Sequence, residues 1–278
     1  MWTAADRERY RRDESRHPSG LTEAEWALIA PLIRPAKRGG RRRAVVVREV
    51  MNGLLHVLET GCQWRHLPRD LPPRSTVHAH LQRWEWDGTP EAVHHRLHVA
   101  CRERAGKEAS PTAAILDSKS VEAAGKGGAS VDPVGFDAGK EVRGVKCHVL
   151  VDTPGLLLSV VVHAADLQDR DGAALVLDRR TRAPFPFVLA IFADAGHRGP
   201  RAAAAARRSG RWRSRVVRRS EAARGFVVLP KRWIVERTLA WLTRCRRLAR
   251  DLENLARTSL ALIRLAMIKL MPRRLARS

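Results

Sequence analysis

Near Thr112 the apolar pattern of this chain changes from helical to extended, and that change limits what it can fold into. Before it, apolar residues recur every three or four positions. After it they come in short continuous runs bounded by turn residues. Ala113 to Asp117 and Phe187 to Asp194 are such runs, and each ends in Asp. Between them, Val145 to Asp152 and Leu156 to His163 are β-rich and joined by Thr153-Pro154-Gly155, which predicts a hairpin with Pro and Gly in type II order. Asp169 to Arg182 and Pro200 to Arg208 read as helices, the second opened by Pro. Phe226 to Leu229 reads as a strand, residues 231–250 as a long helix, and the Gly-rich segment 125–144 as a mobile loop. The order strand, hairpin, helix, strand, helix, strand, helix predicts an α/β domain with a mixed sheet.

The part before Thr112 predicts a smaller all-helical domain over residues 21–108, after a charged, loose arm at 1–20. Thr22 and Glu25 form a capping box for a helix through Leu32, ended by Pro35 to Gly40. Val47, Val50, Met51, Leu54, Leu55 and Leu58 place a second helix over 44–60 with Gly61 as its C-cap. A third helix is expected from an N-cap at Ser75 to about Gly88. The last two suggest a helix-turn-helix-like DNA-binding domain in which His78, Gln82 and Arg83 face the major groove; the plainer reading is a bundle that only packs. The second domain then spans 109–278 and carries basic C-terminal helices.

Charge indicates the partner. With 52 Lys and Arg against 29 Asp and Glu the chain carries +23, and residues 201–278 hold 22 basic against 4 acidic residues, or +18. Such an excess implies a polyanion. Four scattered cysteines suggest neither a zinc ribbon nor a disulfide framework, which fits a reducing cytoplasm. The N-terminus lacks an apolar leader core, and the most apolar helix, about Thr258 to Met271, is short and carries Arg264 and Lys269, so no membrane span is expected.

Asp117, Asp194 and Glu236 are the candidate catalytic and metal-binding residues. Two-metal phosphodiester cleavage needs hard oxygen ligands around Mg²⁺ ions about 3.5–4 Å apart. Strand-terminal Asp residues sit at the open end of an α/β sheet, where ligands bind. Glu236 follows Arg232 by one helical turn, at the edge of a core stripe of Val235, Leu239, Leu242, Ala249 and Leu252. Arg198, Lys231, Arg232, Arg244 and Arg247 are the basic groups expected on DNA beside these acids. Each acid alone has a plainer reading: turn former or cap for the Asp residues, an i, i+4 surface pair for Glu236. Asp169 and Asp171 read as caps, and the histidines at 78, 80, 94, 95 and 98 as surface or core residues.

The element order matches the ribonuclease H-like fold, and the motifs resemble the insertion sequence 5 family of bacterial DDE transposases. Leu21 to Leu32 and Thr60 to Pro73 resemble that family's helical domain. Leu-Asp-Ser-Lys-Ser-Val from Leu116 and Ala-Asp-Ala-Gly-His-Arg-Gly from Ala193 resemble its two Asp motifs, and Arg-Trp-Ile-Val-Glu-Arg-Thr from Arg232 its Glu motif. The resemblance implies an Mg²⁺-dependent enzyme, with Mn²⁺ as a substitute, that cuts the ends of its own element and joins the 3′-hydroxyls to target DNA. It further implies binding of the double-stranded terminal inverted repeats as a homodimer or larger assembly at the bacterial nucleoid. The chain departs from the related Tyr-Arg-Glu-Lys signature at Leu229 and Thr243, and carries His197 where Tyr is expected. Other readings are a repurposed, non-cutting DNA-binding descendant and a ribonuclease H-like nuclease; a nuclease has no need of a sequence-reading domain before its first Asp.

Overall fold

The computed structural model describes residues 3–4, 11–13, 15–35, 44–125, 130–197, 199–209, 212–216 and 231–277. Contacts group the chain into two units: residues 1–104 with 245–247 and 261–278, and residues 105–244 with 248–260.

The first unit is helical. Helix α1 (Glu23–Ile29) opens with the capping box: Thr22 Oγ1 accepts from Glu25 N, and the Glu25 carboxylate accepts from Thr22 N. Helix α2 (Val47–Thr60) buries Val50, Met51, Leu54, Leu55 and Leu58, and ends at Gly61, whose φ of 69° is the left-handed cap a glycine adopts without strain. Helix α3 spans Arg74–Asp87 and α4 spans Thr89–Arg104. Each fully buried leucine here contributes roughly 1.5–3 kcal/mol.

Four expectations change in this unit. Ser75 is not the N-cap of α3: the first intrahelical bonds, from Thr76 N and Val77 N, go to the Pro73 carbonyl, so the helix begins at Arg74. Residues 61–73, with a 3₁₀ turn at Trp64–His66 and three prolines, separate α2 from α3, whereas a helix-turn-helix uses a three- or four-residue turn. Helix α4 escaped sequence periodicity because His94, His98 and Arg102 share its buried positions with Val93 and Leu97. The described part of the arm is tied down: both Arg12 Nη atoms lie 2.7 Å from the carboxylate oxygens of buried Glu25, and His17 Nε2 lies 3.0 Å from Asp70. Burial alone raises the Glu25 pKa, but Arg12, with the Thr22 backbone and Arg273, outweighs it and holds the carboxyl below its ordinary value.

The segment 261–278, expected in the second domain, belongs to the helical unit. It is apolar around its circumference, with Leu262, Leu265, Met267, Ile268 and Met271 all buried, as a helix enclosed by others must be. Three of its cations are used internally: Arg264 pairs with Glu91, Lys269 with Glu59 and Arg273 with Glu25. Among the described residues no helix is long and apolar enough to cross a membrane.

The second unit holds the sheet. Its strands are β1 (Ala113–Glu122), β2 (Gly135–Asp137), β3 (Val142–Val151), β4 (Leu157–Ala164), β5 (Ala190–Ala193) and β6 (Arg213–Val216). They run in the order β2-β3-β1-β5-β6, with β4 also on β3. Strands β1, β3 and β4 pair antiparallel, while β1, β5 and β6 pair parallel. Helix α5 (Asp169–Val176), the short α6 (Arg179–Arg182) and α7 (Pro200–Ser209) follow the hairpin and β5, and the buried faces of α5 and α7 join Leu116, Leu150, Ile191 and Trp212 in one core. Helix α8 (Arg232–Arg244) packs against β1 and β3, and α9 (Ala256–Leu275) closes the chain. The sheet order and late helix confirm the ribonuclease H-like α/β arrangement.

The sheet also corrects several boundaries. The Gly-rich segment contains β2, which pairs with the start of β3. The hairpin stands, but Asp152 closes it: its carbonyl accepts from Gly155 N and its carboxylate from Leu156 N. The expected helix 169–182 breaks before Asp178, whose side chain caps α6. Strand β5 is short, leaving Phe187 and Leu189 exposed. Helix α8 stops at Arg244; its buried residues are Ile234, Val235, Thr238 and Leu242, so Ala249 and Leu252 are not part of its stripe. The expected strand Phe226 to Leu229 lies outside the described residues.

Candidate active site

Asp117 does not end its strand. It lies mid-way along β1, opposite Val149 of β3, and β1 keeps that antiparallel pairing through Glu122. What ends near it is the parallel neighbour: β1–β5 pairing runs from Ala113↔Ala190 to Ile115↔Phe192, and β5 stops at Ala193. Asp194 follows directly. The two aspartates therefore share one small cavity, lined by Ile115, Leu116, Asp117, Phe192, Ala193, Asp194 and Arg232.

Their electrostatics differ. Burial pushes the Asp117 carboxyl above its ordinary value, and the Asp194 charge adds to this; the Ser118 backbone N–H, His197 and Arg232 only partly oppose them. Asp194 is held below its ordinary value, chiefly by the hydrogen bond from His197, whose Nδ1 lies 2.6 Å from Asp194 Oδ1.

Glu236 is exposed, in the second turn of α8. Its link to the aspartates is Arg232, with Nε 3.2 Å from Glu236 Oε1 and Nη2 3.7 Å from Asp194 Oδ2. The i, i+4 surface pair is thus present, and the same guanidinium also reaches the aspartate cavity. Lys231 has a φ of 67° and lays its ammonium 3.9 Å from the centre of the Phe192 ring, beside the cavity lining.

The remaining basic candidates separate. Arg244 is exposed in the last turn of α8. Arg247 is not on the Glu236 face: it lies beyond the helix in a 3₁₀ turn, buried, over the Trp64 ring, and groups with the helical unit. Arg198 lies outside the described residues. On α3, Gln82 and Arg83 are exposed, whereas His78 is half-buried edge-on to Trp64. Thr243, at the position of the signature lysine, donates its hydroxyl to the Leu239 and Ala240 carbonyls.

Beside the aspartates lies a polar cluster that sequence reading did not assemble. Asp169, read as a helix cap, instead accepts from Ser118 Oγ at 2.9 Å and meets Lys146 Nζ at 3.1 Å, and that lysine lies equally close to Asp137. His148 and His163 stack across the β3–β4 pair. Only the unusual placing of Lys146 and His148 in a buried strand signals this in the sequence.

Two carboxylates thus meet where β5 ends beside β1, and a third stands on the helix packed against β1 and β3. A family model described as Transposase DDE domain matches residues 108–271, and one described as transposase of the IS4/5 family matches residues 21–94. The chain belongs to the DDE transposases of the IS4/5 family. It is 33% identical over 108 residues to the Insertion element IS402 uncharacterized 16.2 kDa protein of Burkholderia cepacia, covering 37% of this chain and 72% of that protein. No solved structure matches.

Proposed function

We propose that this DNA transposase binds the terminal inverted repeats of its own insertion sequence, cleaves the element ends and joins their 3′-hydroxyls to target DNA, with Asp117, Asp194 and Glu236 as the catalytic acids. The observation that carries this reading is the shared cavity of Asp117 and Asp194, with Arg232 reaching from it to Glu236. Two carboxylates sharing a part-buried cavity, one of them raised in pKa by burial and by its neighbour's charge, fit a divalent cation, and an all-oxygen donor set fits Mg²⁺, with Mn²⁺ as substitute. Bound there, the ion would supply charge neutralisation and activation of the attacking oxygen.

The chain's own residues do the rest. His197 keeps Asp194 ionised and oriented, and Arg232 is placed to meet a phosphate as it leaves Asp194 and Glu236. In cleavage a water oxygen bonds to phosphorus, its proton passes to a carboxylate or solvent, and the 3′-oxygen departs as leaving group. In joining, that 3′-hydroxyl attacks a target phosphodiester and displaces another 3′-oxygen. Gln82 and Arg83 are the candidates for reading repeat sequence, and Arg244 for holding the backbone. An element has two ends, so a homodimer or larger assembly on DNA, acting in the bacterial cytoplasm at the nucleoid, is part of the proposal. Retention of all three acids argues against a non-cutting descendant. The test is metal-dependent nicking of duplex DNA carrying the element end, against a scrambled duplex; no nicking of either by the wild type would refute it.

A further inference from the structure

Beside the carboxylate cavity, ligand-type atoms of His148, Asp169 and His197 lie within 4.8 Å of one another. The His148 and His197 side chains are 0% and 1% exposed, and neither Nε2 has a hydrogen-bond partner among the described residues. Hydrogen bonds on the far side of each ring fix what these atoms present. His163 Nδ1 lies 2.7 Å from the Ala164 carbonyl, which only accepts, so Nδ1 carries the proton and His163 Nε2 is an acceptor. That acceptor lies 2.9 Å from His148 Nδ1, so His148 donates there and turns an unprotonated Nε2 into the cluster. His197 sets Nδ1 against Asp194 Oδ1, so Nε2 is the ring atom left facing the cluster.

Two buried ring nitrogens beside a carboxylate, neither with a hydrogen-bond partner among the described residues, fit a cation. Lys146 does not meet that need: its ammonium lies 3.1 Å from both Asp137 and Asp169, and donates to the Leu167 carbonyl. Gly172 closes the site from α5, since a Cβ there would fall 2.2 Å from His148 Cε1.

We propose that His148, Asp169 and His197 form a transition-metal site of the zinc class, distinct from the Asp117–Asp194–Glu236 site, that anchors Asp194 through His197. Two imidazoles and one carboxylate suit Zn²⁺ or Co²⁺ and not Mg²⁺, which prefers oxygen ligands. A ligating histidine that donates its other N–H to a carboxylate is a recurrent arrangement at zinc, and His197–Asp194 has that form. His163 plays the matching part for His148.

The test is metal binding to the full-length, chelator-stripped protein. The wild type is expected to take up a single Zn²⁺ per chain that excess Mg²⁺ does not displace, to melt at higher temperature with it, and to give the visible absorption of a four-coordinate site with Co²⁺. Asp169→Asn and His197→Asn should each weaken binding at least tenfold; His197→Asn keeps a donor toward Asp194, which separates metal loss from loss of that bond. Asp117→Asn should bind zinc as the wild type does, so this outcome and the DNA-cleavage outcome are independent. A wild type that takes up no zinc and gives no four-coordinate Co²⁺ spectrum overturns the proposal, even where the variants fail to fold. Undiminished zinc binding by folded Asp169→Asn and His197→Asn overturns it as well.

Discussion

His197 Nδ1 and Asp194 Oδ1 lie 2.6 Å apart, and this contact is the chief reason the Asp194 carboxyl stays below its ordinary pKa. Remove the donor and the carboxylate protonates at higher pH. The acid limb of the cleavage profile should therefore move upward in His197→Ala, with activity about 10–100-fold lower, as for lost partners of metal-binding groups. His197→Asn retains a donor near Nδ1 and should keep the limb near its wild-type position. An unmoved acid limb in His197→Ala would show that the hydrogen bond does not tune Asp194.

On α3, Gln82 and Arg83 are exposed while Val77, Leu81 and Trp84 form the buried face. Replacing both exposed residues by Ala in the full chain should flatten the preference for repeat over scrambled duplex, by about 1–3 kcal/mol for a lost base contact. Overall affinity for scrambled duplex should change less. Binding competition between the two duplexes measures this, and an unchanged preference would exclude these residues as readers.

The basic C-terminal region is not a uniform phosphate-binding surface, because Lys269 and Arg264 are committed to Glu59 and Glu91. Arg244→Gln should reduce the slope of log affinity against log salt by about 1. Lys269→Met should leave the slope unchanged and lower the melting temperature. The opposite pattern would place DNA on the C-terminal helix.

These contrasts show how far the sequence could be read. The hairpin and the glycine cap of α2 were legible because period and turn chemistry are local. The strand position of Asp117 was not, since β1 continues past it on the strength of pairing with β3 alone. Helix α4 was hidden by buried His94, His98 and Arg102, which mimic a polar face. The Asp169–Lys146–His148 cluster joins residues from β3 and α5, and its partners are specified only by the fold.

His94 offers a stability test in the helical unit. Burial, with His98, Arg264 and His95 adding repulsion, lowers its pKa from 6.5 to about 3. The unfolded chain thus binds the proton more readily, so the stabilising contribution is complete above pH 6.5 and is lost as pH falls toward 3. The loss is at most about 1.4 kcal/mol per pH unit. Denaturant titrations of His94→Leu should show a shallower decline over that window than the wild type; parallel declines would mean that His94 does not carry the proton linkage.

The central claim is that three carboxylates from β1, the end of β5 and α8 cut DNA together. The direct measurement is Mg²⁺-dependent strand cleavage of a duplex bearing the element end by Asp117→Asn, Asp194→Asn and Glu236→Gln, alongside duplex binding by the same proteins. Each variant is expected to bind like the wild type and to cleave only at background. Wild-type-like cleavage by any one of them would contradict the assignment, and Glu236→Gln is the sharpest case because Arg232 stands between its carboxylate and Asp194.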